Sequence, residues 1–231
     1  MSGQLFGLGV GPGDPELITV KALRLLRAAP VLAYPAPEGG DSFARGIVAP
    51  WLDGRQREIA LRFPMRPGPP PAAAYDTAAA ALAAELDRGD VALICQGDPL
   101  FYGSFIGLFE RLAGRYPIEI VPGVSSLFAC AAAAGVPLVA GDNSLAVIPA
   151  TLDEEALAAR LAAADAAAIV KLGRHFAKLR RILQRLGLVD RTFYVERASL
   201  PSQRILPLAM VDAASVPYFA MALVRRIRGR E

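Results

Sequence analysis

Three glycine-containing segments offer backbone that a ligand can approach closely. The first, residues 7–14 (GLGVGPGD), lies between a predicted strand and a predicted helix start. Glycines in this place can form the phosphate-binding loop of a dinucleotide site. That loop needs a third glycine where this chain has Pro12, and no acidic residue for a ribose follows about 20 positions on. An ordinary strand-to-helix turn and a site for a different ligand both remain open.

The second segment, residues 96–105 (QGDPLFYGSF), follows the predicted strand at 91–95, a continuous apolar run. Ligands of open α/β sheets bind at this carboxyl edge. Gly97 allows the backbone to close on a ligand, Asp98 supplies a charge, and the aromatic side chains supply flat walls. In the alternative interpretation, Asp98 caps the following helix and the aromatic side chains fill the core.

The remaining candidates also follow predicted strands. Ser125 and Ser126, in PGVSS, begin an Ala-rich helix, either as an ordinary N-cap or where free backbone N–H groups hold a polar ligand. Lys171 and Arg174 can bind carboxylates, since the Arg guanidinium forms a bidentate fork. We interpret His175, the single histidine, as a helix-start residue rather than a catalyst.

Composition restricts the function classes. The 231 residues are 54% hydrophobic and 20% charged, which indicates a folded chain with a sizeable core. With one histidine, the chain has few residues from which a zinc centre or a Ser-His-Asp triad could be built. Its two cysteines, Cys95 and Cys130, lie within apolar runs, which predicts buried free thiols. The net charge of +3 favours a solvated basic face, with nucleic acid and a small polyanion as the open alternatives. We expect a cytoplasmic protein without a membrane span.

Short β-type runs alternate with helical windows along the chain, which predicts an α/β fold with a mixed sheet late in the chain. A polar break at 114–123 predicts two α/β domains, 1–114 and 115–231. The predicted strands are 5–10, 31–34, 58–63, 91–95, 118–121, 144–148, 167–172, 191–196, 203–207 and 218–224. The predicted helices are 16–28, 42–52, 75–88, 105–112, 125–134, 154–163 and 176–186.

Taken together, these segments resemble the tetrapyrrole methylase family, the S-adenosylmethionine-dependent enzymes of corrin and sirohaem synthesis. The resemblance covers essentially the whole chain, and its markers are GLGVGPGDPELITVKA at 7–22, GDPLFYGSF at 97–105, PGVSS at 122–126, VKLGRHFAKLRRIL at 170–183 and VERASLPSQRILPL at 195–208. Within the family, the chain is similar to the branch that methylates precorrin-2 at C20. The sirohaem-forming branch usually has Arg where this chain has Ser104.

The resemblance implies two α/β domains with S-adenosylmethionine in the cleft between them, and a homodimer. It implies donor contacts from Pro12, Gln96, Gly97, Asp98, Tyr102, Ser125, Ser126, Leu172, Ala198 and Tyr218. Gln96 and Leu172 stand where the family often has Gly and Met. The loop that contains Gly11 and Asp14 is expected to face the tetrapyrrole.

The implied reaction is methyl transfer from a sulfonium to C20 of precorrin-2, giving precorrin-3A in cobalamin biosynthesis, with no bound metal. Asp98 is the candidate for stabilising charge on the macrocycle and accepting a proton. Candidate anchors for the substrate carboxylates are Arg45, Arg62, Arg66, Arg174 and Lys178. The alternatives are the same chemistry on cobalt-factor II, a nucleic-acid-binding or RNA-methylating protein, and a non-catalytic ligand-binding module. We expect no nucleic-acid partner and no membrane partner.

Overall fold

Ten strands form two separate five-stranded sheets in the part of the chain that the structure, a computed structural model, describes: residues 2–64 and 71–226. The first sheet belongs to a unit that ends at Ser125, and the second to a unit that begins at Ser126. The strands are β1 (Leu5–Gly9), β2 (Val31–Pro37), β3 (Arg57–Phe63), β4 (Val91–Cys95), β5 (Ile118–Val121), β6 (Leu145–Pro149), β7 (Ala166–Val170), β8 (Thr192–Glu196), β9 (Arg204–Pro207) and β10 (Ala220–Arg225). The helices are α1 (Val20–Ala28), α2 (Phe43–Val48), α3 (Ala72–Leu86), α4 (Phe105–Leu112), α5 (Ser126–Ala134), α6 (Glu154–Ala163) and α7 (Phe176–Arg185).

The first sheet is parallel throughout, in the order β3-β2-β4-β1-β5. Every residue of the central strand β4 and of its neighbour β1 is buried. Alternate residues of β4 point to opposite faces: Leu93 packs with α3 and α4, whereas Ile94 packs with α1 and α2. Helices therefore cover both faces, which explains why these strands are continuous apolar runs.

The second sheet is mixed, in the order β6-β7-β10-β8-β9. β6 and β7 are parallel, and the other neighbouring pairs are antiparallel. On one face, Leu157 of α6 and Phe176 of α7 belong to a large apolar cluster. On the other face, Leu127 and Cys130 of α5 pack against β7, β8 and β10. The predicted α/β class, with a mixed sheet late in the chain, is confirmed.

The division between the units lies eleven residues later than the predicted boundary (125 against 114). The reason is β5, which pairs with β1 and completes the first sheet. Gly114, with φ +81°, ends the α4 region and forms a turn inside the first unit rather than a hinge between domains.

Two predicted helices are interrupted. The prediction at 16–28 is replaced by a 3₁₀ turn, Pro15–Leu17, and by α1, because the hydroxyl of Thr19 accepts a hydrogen bond from Ala22 N and starts a new helix. The prediction at 42–52 is divided into α2 and a 3₁₀ turn, Ala49–Trp51. Pro50 has no N–H to continue the α-helical hydrogen bonds.

Candidate active site

The loops that follow β1, β4 and β5 emerge side by side, because β1 lies between the other two strands and all three are parallel. Gly97 N donates a hydrogen bond to Gly11 O at 2.7 Å, and Gly11 N donates to Gly97 O at 3.4 Å. The first two glycine segments found in the sequence are therefore joined beyond the ends of their strands. This is the carboxyl edge, where parallel α/β sheets bind ligands.

Glycine is required where the three loops meet. A Cβ on Gly123 would lie 2.1 Å from Gly97 O, and a Cβ on Gly9 would lie 2.5 Å from Gly123 N. Gly97 itself has φ +67°, a left-handed conformation that side chains disfavour. The close approach of the three backbones is sufficient to explain the glycines. A phosphate-binding function, which the sequence already disfavoured, is not needed to explain them.

Asp98 connects two of these loops. Its Oδ1 accepts a hydrogen bond from Leu100 N at 2.9 Å, which closes a local turn, and its Oδ2 accepts one from Gly123 N at 3.1 Å. Both carboxylate oxygens thus bind backbone amides, one in the β4 loop and one in the β5 loop. This arrangement gives Asp98 a role in organising the two loops.

Tyr102 lies in the same β4 loop in a strained conformation. Its φ is +56°, and its side chain is 49% exposed. For a bulky residue this backbone conformation costs roughly 1–3 kcal/mol, and such strain occurs preferentially at ligand sites. The ring lies 5.0 Å from that of Phe101 in an edge-to-face arrangement. Gln96, the first residue after β4, is half-buried.

The first glycine loop supplies fewer polar groups than predicted. Pro12 and Gly11 are buried, and Gly11 has φ +83°. Asp14 Oδ1 accepts a hydrogen bond from Glu16 N at 2.8 Å and so caps the Pro15–Leu17 turn. The carboxylate of Asp14, predicted to face substrate, therefore has a capping function in this structure.

In the second unit, the loops after β7 and β8 and the segment before β10 lie at one edge of the sheet. β7 and β8 are both antiparallel to β10, which lies between them, so they run in the same direction. Arg197 N, after β8, donates a hydrogen bond to Phe219 O, before β10, at 2.8 Å. Three of the predicted donor-contacting residues of this unit thus lie at one edge: Leu172, Ala198 and Tyr218.

Non-glycine residues with positive φ occur at this same edge. Lys171 has φ +57°, Arg197 +51° and Ser199 +67°. Tyr102 is the fourth such residue in the part of the chain that the structure describes. All four lie in segments that the sequence marked as candidates, and strained backbone of this kind persists where the surroundings enforce it.

The predicted donor-contacting side chains of the second unit differ in accessibility. Leu172 is fully buried and Ala198 is 7% exposed, both within apolar clusters, whereas Tyr218 is 74% exposed. The Leu172 carbonyl accepts a hydrogen bond from His175 N at 2.7 Å, and the contact of Leu172 with a donor stays a prediction. Ser125, the last residue of the first unit, is buried, and Ser126 is the first residue of α5.

Two of the predicted carboxylate anchors in the first unit have other partners. Arg45 donates two hydrogen bonds to Glu58, at 3.0 and 2.9 Å. This contact lowers the pKa of Glu58 and raises that of Arg45. Arg62 donates to the carbonyls of Pro37 and Gly40 and fastens the loop after β2. A third predicted anchor, Arg66, lies outside the described residues.

The second unit carries a small basic group where α7 begins. Arg174 is exposed and donates from Nε to the His175 ring at 3.4 Å, and Lys178 donates to Leu152 O. Desolvation and then the positive charges of Lys178 and Arg174 lower the pKa of His175. His175 is therefore predominantly neutral near pH 7, and the positive charge comes from its neighbours.

Sequence reasoning missed two polar residues that organise the loop after β8. Glu196 is 4% exposed, and its Oε2 accepts a hydrogen bond from Tyr194 OH at 2.7 Å. Gln203 Oε1 accepts one from Ser199 N at 2.8 Å. An acidic residue at the end of an apolar strand was a usable signal for Glu196, whereas nothing in the sequence pattern singled out Gln203.

Cys95 and Cys130 are free and buried, as predicted, and burial raises the pKa of Cys130 to about 12. The described residues bring no three His, Cys, Asp or Glu side chains together as metal ligands. None of the helices at 2–64 and 71–226 is both long and apolar enough to cross a membrane.

Known protein sequences similar to this chain include proteins named for cobalamin biosynthesis and for the methylation of precorrin-2. A family model described as Tetrapyrrole (Corrin/Porphyrin) Methylases matches residues 4–212. A Mycobacterium tuberculosis protein named Cobalamin biosynthesis protein CobIJ is 49% identical over 96% of this chain, but the match spans only 46% of that protein, so this chain is about half its length. A Sinorhizobium protein named Precorrin-2 C(20)-methyltransferase is 42% identical over 96% of this chain and 95% of its own. A Salmonella typhimurium protein named Cobalt-precorrin-2 C(20)-methyltransferase is 37% identical over 98% of both.

Solved structures of the same architecture include a cobalt precorrin-4 methyltransferase, with a TM-score of 0.72 and 26% identity over 96% of this chain and 94% of its own. A uroporphyrin-III C-methyltransferase from Thermus thermophilus, solved with S-adenosylhomocysteine, has a TM-score of 0.67 and 26% identity over 96% of this chain and 97% of its own.

Proposed function

The chain belongs to the tetrapyrrole (corrin/porphyrin) methylase family, and on that premise we propose that it transfers a methyl group from S-adenosylmethionine to C20 of precorrin-2. The product would be precorrin-3A, in cobalamin biosynthesis. The observation that carries the choice of substrate is the 42% identity to a precorrin-2 C(20)-methyltransferase over nearly the full length of both chains. The more similar CobIJ proteins are about twice as long, so their further activities are not transferred to this chain.

The residues at the carboxyl edge of the first sheet suit a compact, partly apolar donor such as S-adenosylmethionine. In the first unit, glycines bring the backbone of the β4 and β5 loops close together, and no Cβ could be added at Gly123 without moving them. Tyr102 and Tyr218 present exposed rings, which suit an adenine or a sulfonium cation. The donor supplies a methyl group already activated by the sulfonium, so that the protein need supply no covalent catalyst.

Positioning is the main contribution that we assign to the protein. Holding two reactants in line can account for roughly 7–11 kcal/mol of barrier reduction. Asp98 supports this by fixing the β4 loop to the β5 loop through Leu100 N and Gly123 N. We propose that its negative charge also offsets positive charge that develops on the acceptor. Because both oxygens already accept hydrogen bonds, the geometry supports a positioning and electrostatic role more than that of a general base.

The substrate is a macrocycle with several carboxylates, and Arg174 is the best-supported anchor for one of them. It is exposed at the carboxyl side of β7, and no carboxylate pairs with it among the described residues. Arg45, in contrast, is neutralised by Glu58. Lys178 donates to the Leu152 carbonyl, and no carboxylate forms an ion pair with it within residues 2–64 and 71–226.

The same methylation of a cobalt-loaded substrate is the second candidate function. The observation that favours it is the 37% identity over 98% of both chains to a cobalt-precorrin-2 C(20)-methyltransferase. The test compares turnover of metal-free precorrin-2 with that of cobalt-factor II under anaerobic conditions. We expect faster methylation of the metal-free substrate, and a preference for the cobalt form would replace the first candidate by the second.

We also propose that the protein acts as a homodimer in the cytoplasm, as the family resemblance implies. Sedimentation equilibrium of the purified protein tests the dimer, and a mass of one chain would contradict it. The enzymatic proposal is tested by incubation with S-adenosylmethionine and, in separate reactions, precorrin-2 or uroporphyrinogen III. We expect addition of one methyl group to precorrin-2 and none to uroporphyrinogen III. Methylation of uroporphyrinogen III would instead assign the chain to the sirohaem-forming branch.

A further inference from the structure

The loop that joins β8 to β9, residues 197–203, carries unusual backbone strain. Arg197 and Ser199 both have positive φ, +51° and +67°, although neither is glycine. Ala198 lies between them and is one of the residues proposed above to contact the donor. A conformation of this kind is maintained only when neighbouring contacts enforce it.

A side chain at the far end of the loop makes one of the enforcing contacts. Gln203 Oε1 accepts a hydrogen bond from Ser199 N at 2.8 Å, and Gln203 N donates to Leu200 O at 2.9 Å. Leu200 N in turn donates to Arg197 O at 3.0 Å. The Gln203 side chain therefore holds the strained Ser199 through the backbone N–H of Ser199. The two backbone hydrogen bonds close the turns on either side of Leu200.

Both ends of the loop are fixed in the sheet. Glu196 and Arg204 are register partners in the β8–β9 pair, and their side chains form an ion pair at 3.2 Å. The other oxygen of Glu196 accepts from the hydroxyl of Tyr194, which is fully buried. Both ends of the loop are therefore held by the sheet. Within the loop, the exposed side chain of Gln203 fixes the backbone conformation at Ser199.

We propose that Gln203 is a positioning residue for the methyl donor: by holding Ser199 N, it keeps the Ala198 backbone in a binding-ready conformation. Arg197 N also donates to Phe219 O, so the same loop is connected to the segment that carries Tyr218. Relaxation of the loop would therefore disturb two proposed donor contacts, at Ala198 and Tyr218. This inference rests on the proposed function, because it takes the ligand to be S-adenosylmethionine.

Calorimetric titration with S-adenosylhomocysteine tests the proposal. Loss of one net hydrogen bond that preorganises the site predicts about fivefold weaker binding by Gln203→Ala. Gln203→Glu keeps an acceptor oxygen and should bind within about twofold of the wild type, within the usual scatter of such contributions. Ser202→Ala, an exposed residue of the same loop, is the matched control and should leave affinity unchanged.

Two further readouts separate positioning from general stability. In the ligand-free protein, hydrogen exchange of the Ser199 amide should accelerate in Gln203→Ala and not in Gln203→Glu. In turnover, the KM for the donor should rise in Gln203→Ala while the KM for the tetrapyrrole stays constant. Unchanged affinity in Gln203→Ala, or equal losses in Gln203→Ala and Gln203→Glu, would overturn the role of the acceptor oxygen. Failure of the wild-type protein to bind S-adenosylhomocysteine would instead contradict the proposed function itself.

Discussion

Replacement of Asp98 by Asn tests whether this carboxylate organises the candidate site. The Asn side chain keeps one acceptor oxygen for Leu100 N, but it places an NH₂ group where Oδ2 now accepts from Gly123 N at 3.1 Å. Two donors then face each other, and an unsatisfied, partly buried N–H costs about 1–3 kcal/mol. At about 2–4 °C per kcal/mol for a chain of this size, a loss of about 2 kcal/mol lowers Tm by about 4–8 °C.

The measurement combines thermal unfolding with titration of S-adenosylhomocysteine. We expect Asp98→Asn to lower Tm and, because the β4 and β5 loops separate, to weaken ligand binding as well. The matched control is Asp212→Asn, since the carboxylate of the exposed Asp212 accepts a hydrogen bond from Ala214 N at 3.0 Å, and Asn retains an acceptor oxygen for it. Wild-type Tm and wild-type affinity in Asp98→Asn would refute the organising role.

The other predictions concern the glycine contact and the Arg45–Glu58 pair. Gly123→Ala should destabilise the protein by at least about 1–3 kcal/mol and abolish ligand binding, because its Cβ would lie 2.1 Å from Gly97 O. The control is Gly46→Ala in α2, where the added Cβ has open space around it. In the same denaturant titration this variant should be neutral or slightly stabilising. If Gly123→Ala unfolds and binds like the wild type, the close approach of these loops is wrong. Arg45 lowers the pKa of Glu58 below its usual value of 4.5, so the pair stabilises the fold above that pH and the contribution is lost as the pH falls through the lowered pKa. Between about pH 6 and pH 3, Tm should therefore fall less in Glu58→Gln than in the wild type, and equal slopes would exclude this contribution.

Much of the fold could be predicted because burial on both faces leaves a clear pattern in the sequence. The continuous apolar run at 91–95 predicts a strand covered on both faces, and β4 is wholly buried. The glycine loops could be placed at the carboxyl edge of the sheet because they directly follow predicted strands. The boundary between the units was missed because β5 pairs with β1, 113 positions earlier (118 against 5), and no local signal reports such a pairing.

The contacts inside the site depend on tertiary structure and were less accessible from the sequence. Positive φ at Tyr102 or Arg197 has no sequence signal, because these residue types ordinarily avoid the left-handed region. The pairing of Arg45 with Glu58 joins α2 to β3 and removes a predicted substrate anchor. Burial of Leu172 follows from the packing of the second unit rather than from its position after a strand.

The position of the transferred methyl group tests the proposed function most directly. The protein would be incubated with precorrin-2 and S-adenosylmethionine labelled with ¹³C in the methyl group, and the product examined by NMR. We predict one new labelled carbon, attached to C20 of the macrocycle. Label at any other ring carbon, or no incorporation by a protein that binds S-adenosylhomocysteine, would contradict the proposal.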